Sequence, residues 1–220
     1  MKTDTLSLHH LIREPKKKTS EKAPLLIMLH GYGSNEEDLF SFADELPDEL
    51  FIISARAPYP MQPYGHAWFA IHWGNSSGKF SDDEQAIGSR DKIRDFIDEA
   101  VEAYPVDPEN VTIVGFSQGC ILGLAVALSY PEKVKNIIGL SGALNPDIIK
   151  EGYEKRDFSK LSIYVSHGSA DQVIPVAWAR KTKPLLDSLG IENQYSEFPV
   201  GHGVAPQNFR ELKKWLEERL

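Results

Sequence analysis

The sequence predicts an α/β fold in a single domain spanning residues 1–220: a mainly parallel sheet flanked by helices, with no cap domain. Short continuous apolar runs such as Leu25-Leu26-Ile27-Met28-Leu29 and Phe51-Ile52-Ile53 suit strands buried on both faces. Stretches with apolar residues at helical spacing separate these runs, and alternating strands and helices imply parallel strands joined by crossovers. Between Asn110 and Tyr130, NVTIVGFSQGCILGLAVALSY reads as a strand, a tight turn and an apolar helix in direct succession.

Taken in order, residues 6–13 alternate weakly and predict an edge strand. After a polar loop and the strand at 25–29 comes His30-Gly31-Tyr32-Gly33. Ser34-x-x-Glu37 then has the form of a capping box, with Leu39, Phe42, Ala43 and Leu46 at helical spacing behind it. Residues 55–82 form a long segment rich in proline, glycine and aromatics; loops of that length in a folded domain are usually functional or disordered, and the aromatics argue against disorder. Ile87, Ile93, Ile97, Ala100, Val101 and Tyr104 mark one face of a long helix ending before Pro105. Further strands are expected at Val111–Val114, Val134–Leu140, Leu161–Ser166 and Tyr195–Phe198. The stretch Val176 to Leu189 has a helical pattern, but Pro184 should kink or split it. Pro206 suits the first turn of a closing helix with Phe209, Leu212, Trp215 and Leu216 on its buried face.

Composition narrows the function. Of 220 residues, 41% are hydrophobic, and the formal net charge is −8. A balance that acidic argues against nucleic acid as a partner, since that needs a basic face; Lys16-Lys17-Lys18 is a short solvated run. The single cysteine, Cys120, permits no internal disulfide and reads as a small buried residue. No apolar run approaches ~20 residues, and the first residues lack the apolar core of a signal peptide, so a cytoplasmic protein without stable membrane insertion is expected. Nothing resembles a metal-ligand cluster, phosphate loop or dinucleotide fingerprint, so neither metal nor cofactor is expected.

The chemistry centres on Gly115-Phe116-Ser117-Gln118-Gly119. A sharp strand-to-helix turn thrusts a serine hydroxyl out of the sheet, and its closeness to neighbouring backbone leaves room only for glycine on either side. The following helix turns its positive end toward the serine, where negative charge develops in acyl transfer. A plain helix cap would explain Ser117 alone. A nucleophile also needs a histidine to take its proton and a carboxylate to hold that histidine in one tautomer. In a serine hydrolase of this strand order the carboxylate follows the serine and the histidine comes last. Asp171 stands past the strand ending at His167, and His202 lies in Gly201-His202-Gly203 after the last strand; Asp147, Asp157 and Asp187 are poorer placed. Backbone N–H groups of Gln118 and Tyr32 are the expected oxyanion donors, and His30 is expected to brace its loop.

At these residues the chain resembles the phospholipase/carboxylesterase family of α/β-hydrolases, which includes the acyl-protein thioesterases. Besides the elbow, the resemblance rests on Leu29-His30-Gly31-Tyr32-Gly33, Arg56-Ala57-Pro58, Trp68-Phe69, His167-Gly168-x-x-Asp171, Val173-Ile174-Pro175 and Gly201-His202-Gly203. It covers nearly the whole chain from about residue 24. The resemblance implies a capless hydrolase of carboxylic esters or thioesters that uses no cofactor. It also implies that Trp68, Phe69 and Ile174 border the acyl pocket, ordinary core packing being the competing reading. The chain departs from the family pattern at Ala70, where an acidic residue is usual, at Pro184, and at Val204-Ala205 after the histidine turn.

The expectation is therefore a serine carboxylesterase acting on short-to-medium acyl esters through Ser117, His202 and Asp171. Its partner is a small-molecule ester or thioester, with a homodimer left open. Rival readings are an acyl-protein or acyl thioesterase or lysophospholipase using the same triad, an inert hydrolase-fold binding protein, and a peptidase.

Overall fold

The computed structural model describes residues 6–71 and 81–220. Its strands are β1 (His10–Arg13), β2 (Ala23–Leu29), β3 (Phe51–Ala55), β4 (Tyr59–Pro60), β5 (His66–Ala67), β6 (Val106–Phe116), β7 (Asn136–Leu140), β8 (Ser162–Gly168) and β9 (Glu192–Phe198). The α-helices are α1 (Glu37–Phe40), α2 (Asp83–Ala103), α3 (Gln118–Ser129), α4 (Val176–Ala179), α5 (Thr182–Ser188) and α6 (Pro206–Glu217). Seven strands form one sheet in the order β1-β3-β2-β6-β7-β8-β9. Only β1 runs antiparallel, along β3 at the edge; the remaining pairs are parallel.

The apolar runs explain the layering. Side chains alternate across a strand, so β2 sends Leu25, Ile27 and Leu29 into one core with Ile93 and Phe96 of α2 and Leu122 and Val126 of α3. Leu26 and Met28 face the opposite core, with Leu39 of α1 and Leu212, Trp215 and Leu216 of α6. Both faces are covered, and β2 reads as continuously apolar for that reason.

Several expectations change in detail. The capping box does not form: Ser34 Oγ donates to Asp38, and the Glu37 amide donates to Asn35 Oδ1 at 2.8 Å. The helix behind it lasts only from Glu37 to Phe40, followed by a 3₁₀ turn at Ala43–Glu45, yet Leu39, Ala43 and Leu46 are buried as their spacing implies. The 176–189 stretch is split into α4 and α5, with Pro184 in the first turn of α5. Proline has no N–H to give the Arg180 carbonyl four residues earlier, so the break falls upstream of it. Within the 55–82 loop, β4 and β5 pair as a short antiparallel hairpin, while its residues 72–80 lie outside the described residues. β6 is far longer than its apolar centre, pairing with β2 from Val106 onward across a bulge at Pro24/Leu25. Ala205 gives α6 no side-chain cap, as Val204-Ala205 implied.

The register brings the strand ends level. Phe116, Leu140 and Ser166 are neighbours across β6, β7 and β8, so Ser117 and Ser141 leave the sheet side by side, while His167 continues β8 beside them, opposite Glu197. Ligands in such sheets sit at these carboxyl ends.

Candidate active site

Ser117 stands at the turn between β6 and α3 with φ 53° and ψ −112°, a left-handed conformation rare outside glycine. Its neighbours hold it there: its amide donates to Leu140 O at 2.9 Å, and its carbonyl accepts the Ile121 amide at 3.1 Å. The flanking glycines are steric necessities. A Cβ on Gly119 would lie 2.0 Å from Leu29 O, and one on Gly115 would lie 2.2 Å from Gly119 O. The Ser117 hydroxyl does not cap α3; its partner is His202 Nε2 at 3.1 Å.

His202 Nδ1 lies 2.7 Å from Asp171 Oδ2. A carboxylate only accepts, so the proton sits on Nδ1, leaving Nε2 bare toward the serine. The ring packs against Phe116 at 5.0 Å between centroids. Asp171 Oδ1 accepts the amides of Val173 and Ile174 at 2.8 and 2.9 Å. Burial by itself would raise the Asp171 pKa; the hydrogen bond from His202 and those two amides outweigh it and hold the carboxyl below its usual range. The structure thus brings Ser117, His202 and Asp171, from three separate strand ends, into one hydrogen-bonded line.

A cavity of about 660 Å³ opens over Ser117 and His202. Gly31, Tyr32 and Gln118 line it at one side, and Phe69, Ile121 and Ile174 contribute apolar wall. Gln118 is the first residue of α3, where amides have no intrahelical acceptor. Tyr32 follows His30, whose enclosed ring ties the turn down: Nε2 accepts the Ala57 amide at 3.0 Å, so Nδ1 carries the proton given to Gly31 O at 2.7 Å. Burial lowers the His30 pKa, in keeping with that neutral ring. His30 is thus the loop brace that its position implied.

Trp68 does not border the cavity. It is fully buried, its indole N–H donating to His30 O at 2.9 Å, so it supports the turn from behind. Phe69 and Ile174 do line the wall. Ala70, in place of an acidic residue, is held through its backbone: its amide donates to Gln85 Oε1 at 2.9 Å and its carbonyl accepts the Asp82 amide at 3.0 Å. Cys120 is fully enclosed, and burial pushes its thiol up to about 12, so it offers no thiolate.

Three contributions were not visible in the sequence. The Gln118 side chain accepts the Trp68 amide at 3.0 Å and donates to Phe69 O at 2.8 Å, pinning cavity wall to elbow. Ser141, also at positive φ (50°), donates to Gly203 O at 3.2 Å and steadies the His202 loop. Arg56 pairs with the buried carboxylate of Glu36, fastening the chain after the Tyr32 turn to the end of β3. Each joins segments far apart in sequence, so local patterning carries no signal for it.

The family model for phospholipase/carboxylesterase matches residues 10–220. The chain belongs to that family. Hydrolysis of carboxylic esters is the activity class that follows. Acyl-protein thioesterase 1 of Saccharomyces cerevisiae is 31% identical over 214 residues, covering 89% of this chain and 92% of the yeast protein. A protein of Oryza sativa subsp. japonica named a probable inactive carboxylesterase is 24% identical over 219 residues, covering 94% of this chain and 89% of its own. A solved Bacillus cereus carboxylesterase superposes with a TM-score of 0.84, covering 98% of this chain and 96% of that one; at 20% identity it shows the fold. Among the described residues no helix is long and apolar enough to cross a membrane.

Proposed function

We propose that the chain is a serine carboxylesterase that cleaves short-to-medium acyl esters through an acyl-enzyme. The observation that carries this reading is the line from Asp171 through His202 to Ser117, ending at the cavity. In the proposed cycle, Ser117 Oγ attacks the ester carbonyl while His202 Nε2 takes its proton. Asp171 keeps the imidazole in the required tautomer and balances the imidazolium. The tetrahedral oxyanion accepts hydrogen bonds from the Tyr32 and Gln118 amides, each contributing a factor of ~10²–10³ in rate. Collapse breaks the ester C–O bond, and the imidazolium protonates the departing alkoxide. His202 then deprotonates a water that attacks the acyl-enzyme, and Ser117 recovers its proton.

Phe69 and Ile174 are proposed to contact the acyl chain. The cavity volume lies within the usual ~300–1,000 Å³ of small-molecule sites, which suits a modest acyl group together with its alcohol. A cytoplasmic setting accompanies this proposal, since Cys120 needs no oxidising compartment.

A chain-length series of nitrophenyl esters tests the substrate reading: activity should peak at short-to-medium acyl groups, and a strong preference for long chains would overturn it. Ser117→Ala should abolish turnover, typically by ~10⁴-fold or more; retained activity would remove Ser117 from the mechanism. Similarity to the yeast thioesterase favours a second reading, hydrolysis of acyl thioesters by the same groups. Specificity constants on matched ester and thioester substrates decide between them. Because one relative is named as inactive, a fluorophosphonate probe is the direct control. Labelling of Ser117 in folded protein supports catalysis, and no labelling supports an inert site.

A further inference from the structure

His167 is the last-but-one residue of β8, and its side chain is wholly enclosed. Nε2 lies 2.8 Å from Ile174 O and 3.2 Å from Asp171 Oδ2. Both neighbours only accept, so Nε2 must carry the proton. Nδ1 is buried and has no hydrogen-bond partner among the described residues. Leaving a buried polar atom unpaired is costly, and sites that keep one call for an explanation. Here the gain lies at the other nitrogen. Asp171 Oδ1 takes two backbone amides, and Oδ2 takes the His202 Nδ1–H and lies 3.2 Å from the protonated His167 Nε2.

We infer that His167 is a positioning residue for the triad proposed above. Its Nε2–H, bonded to the Ile174 carbonyl at 2.8 Å and standing 3.2 Å from Asp171 Oδ2, limits how the carboxylate can turn and takes up part of the charge that Asp171 presents to His202. The donor is placed by the strand, the acceptor by the loop that follows it, and Ile174 O closes that loop back onto the ring. Without this donor the carboxylate turns more negative charge toward His202. The imidazolium is then stabilised and the base stays protonated to higher pH. The carboxylate also gains rotational freedom, which loosens the 2.7 Å contact that orients His202.

The charged surroundings are few. Besides Asp171 and His202, Glu197 of β9 stands opposite His167 in the strand pairing. Arg180 forks onto Glu197 with two 2.7 Å hydrogen bonds, and Tyr195 donates to it at 3.0 Å. The Arg180 hydrogen bond is the main reason the Glu197 pKa is lowered, so Glu197 stays anionic through the neutral range.

The test compares His167→Leu, which removes the donor, with His167→Gln, which keeps an amide N–H in reach. Both are assayed as full-length protein on a nitrophenyl ester from pH 5 to 9. The leucine variant should lose about 10-fold or more in kcat with KM within about twofold, and its acid limb should move up by about half a pH unit or more. The glutamine variant should return the limb to its wild-type position. An unmoved limb in the leucine variant, or equal impairment of both variants with wild-type limbs, would overturn the inference. Imidazole ¹H–¹⁵N correlation spectra of the wild-type protein give a second measurement if a variant does not fold. His167 should hold its proton on Nε2 across the whole range, and an Nδ1–H tautomer would refute the arrangement. Those spectra do not depend on turnover. Absent esterase activity or probe labelling in the wild type, with the expected tautomer, would instead count against the esterase reading.

Discussion

Replacing Asp171 by asparagine turns a single oxygen into an amide nitrogen and should remove nearly all turnover. The structure dictates which way the new amide must face. Oδ1 accepts the Val173 and Ile174 amides at 2.8 and 2.9 Å, so an asparagine must leave its oxygen there; the opposite flip would set donors against donors. The NH₂ group then replaces Oδ2, 2.7 Å from His202 Nδ1 and 3.2 Å from His167 Nε2. His202 answers by presenting a bare Nδ1 and carrying its proton on Nε2. That nitrogen faces Ser117 Oγ at 3.1 Å and would donate to the hydroxyl it ought to deprotonate. The wrong tautomer in a triad costs ~10⁴-fold in kcat, about 5 kcal/mol of barrier at ~1.4 kcal/mol per tenfold. KM should change little, because the cavity wall is untouched. Steady-state kinetics on a short nitrophenyl ester, with the melting temperature measured in parallel, is the assay. A folded variant losing less than about 10-fold in kcat would refute the reasoning, because His202 would then be oriented by something other than Asp171.

Gly119→Ala should fail to fold or lose most of its activity, since its Cβ would sit 2.0 Å from a backbone oxygen that cannot move away cheaply; a soluble variant within twofold of wild-type kcat/KM would contradict the steric account. Gln118→Leu keeps the backbone amide but strands the Trp68 N–H and Phe69 C=O, at ~1–3 kcal/mol each. Urea unfolding should therefore show a loss of roughly 2–5 kcal/mol, with KM altered because Phe69 shifts. Cys120, with its thiol pushed up to about 12, should resist iodoacetamide at pH 8 in folded protein and react once it is unfolded. Asp171 and Glu36 both have lowered pKa values: for each, burial works the other way and is outweighed, by His202 and two backbone amides at Asp171 and by Arg56 at Glu36. Below about pH 4 the unfolded chain binds protons that these folded carboxylates refuse, so their stabilisation is complete above that range and falls away as pH drops through the folded values. Thermal melts from pH 7 to 3 should show that decline, and an unchanged melting temperature would count against it.

Strand positions were legible wherever a strand faces a single demanding environment. β2 and β3 are covered on both faces, so their sequences are apolar apart from Ser54 and could be placed to within a residue or two. β9 was harder: its residues alternate between exposed and half-buried, and only its end at Tyr195–Phe198 stands out. The α1 region misled because Ser34 and Glu37 have the spacing of a capping box, while Asn35 is the nearer acceptor in the folded chain. Trp68 misled in another way. The family resemblance sets it with Phe69 on the acyl wall, core packing being the competing reading; in the folded chain its indole N–H is bonded to His30 O behind the turn, and of the two only Phe69 lines the cavity.

Local pattern in the chain declares the chemistry available: a serine framed by glycines at a strand-to-helix turn, and an aspartate and a histidine in loops after later strands. These are local facts, because turn geometry demands glycine and periodicity reports burial. Tertiary structure decided the contacts between loops that are remote in the chain. It set the distances within the Ser117, His202 and Asp171 line. It gave Gln118 a side-chain task beside its backbone one. It also placed His167 on the oxygen that faces His202, because β8 and the loop after it fold back on each other through Ile174. Hydrogen bonds of that kind depend on which strand ends the sheet brings level, and register is a property of the assembled sheet rather than of any segment within it.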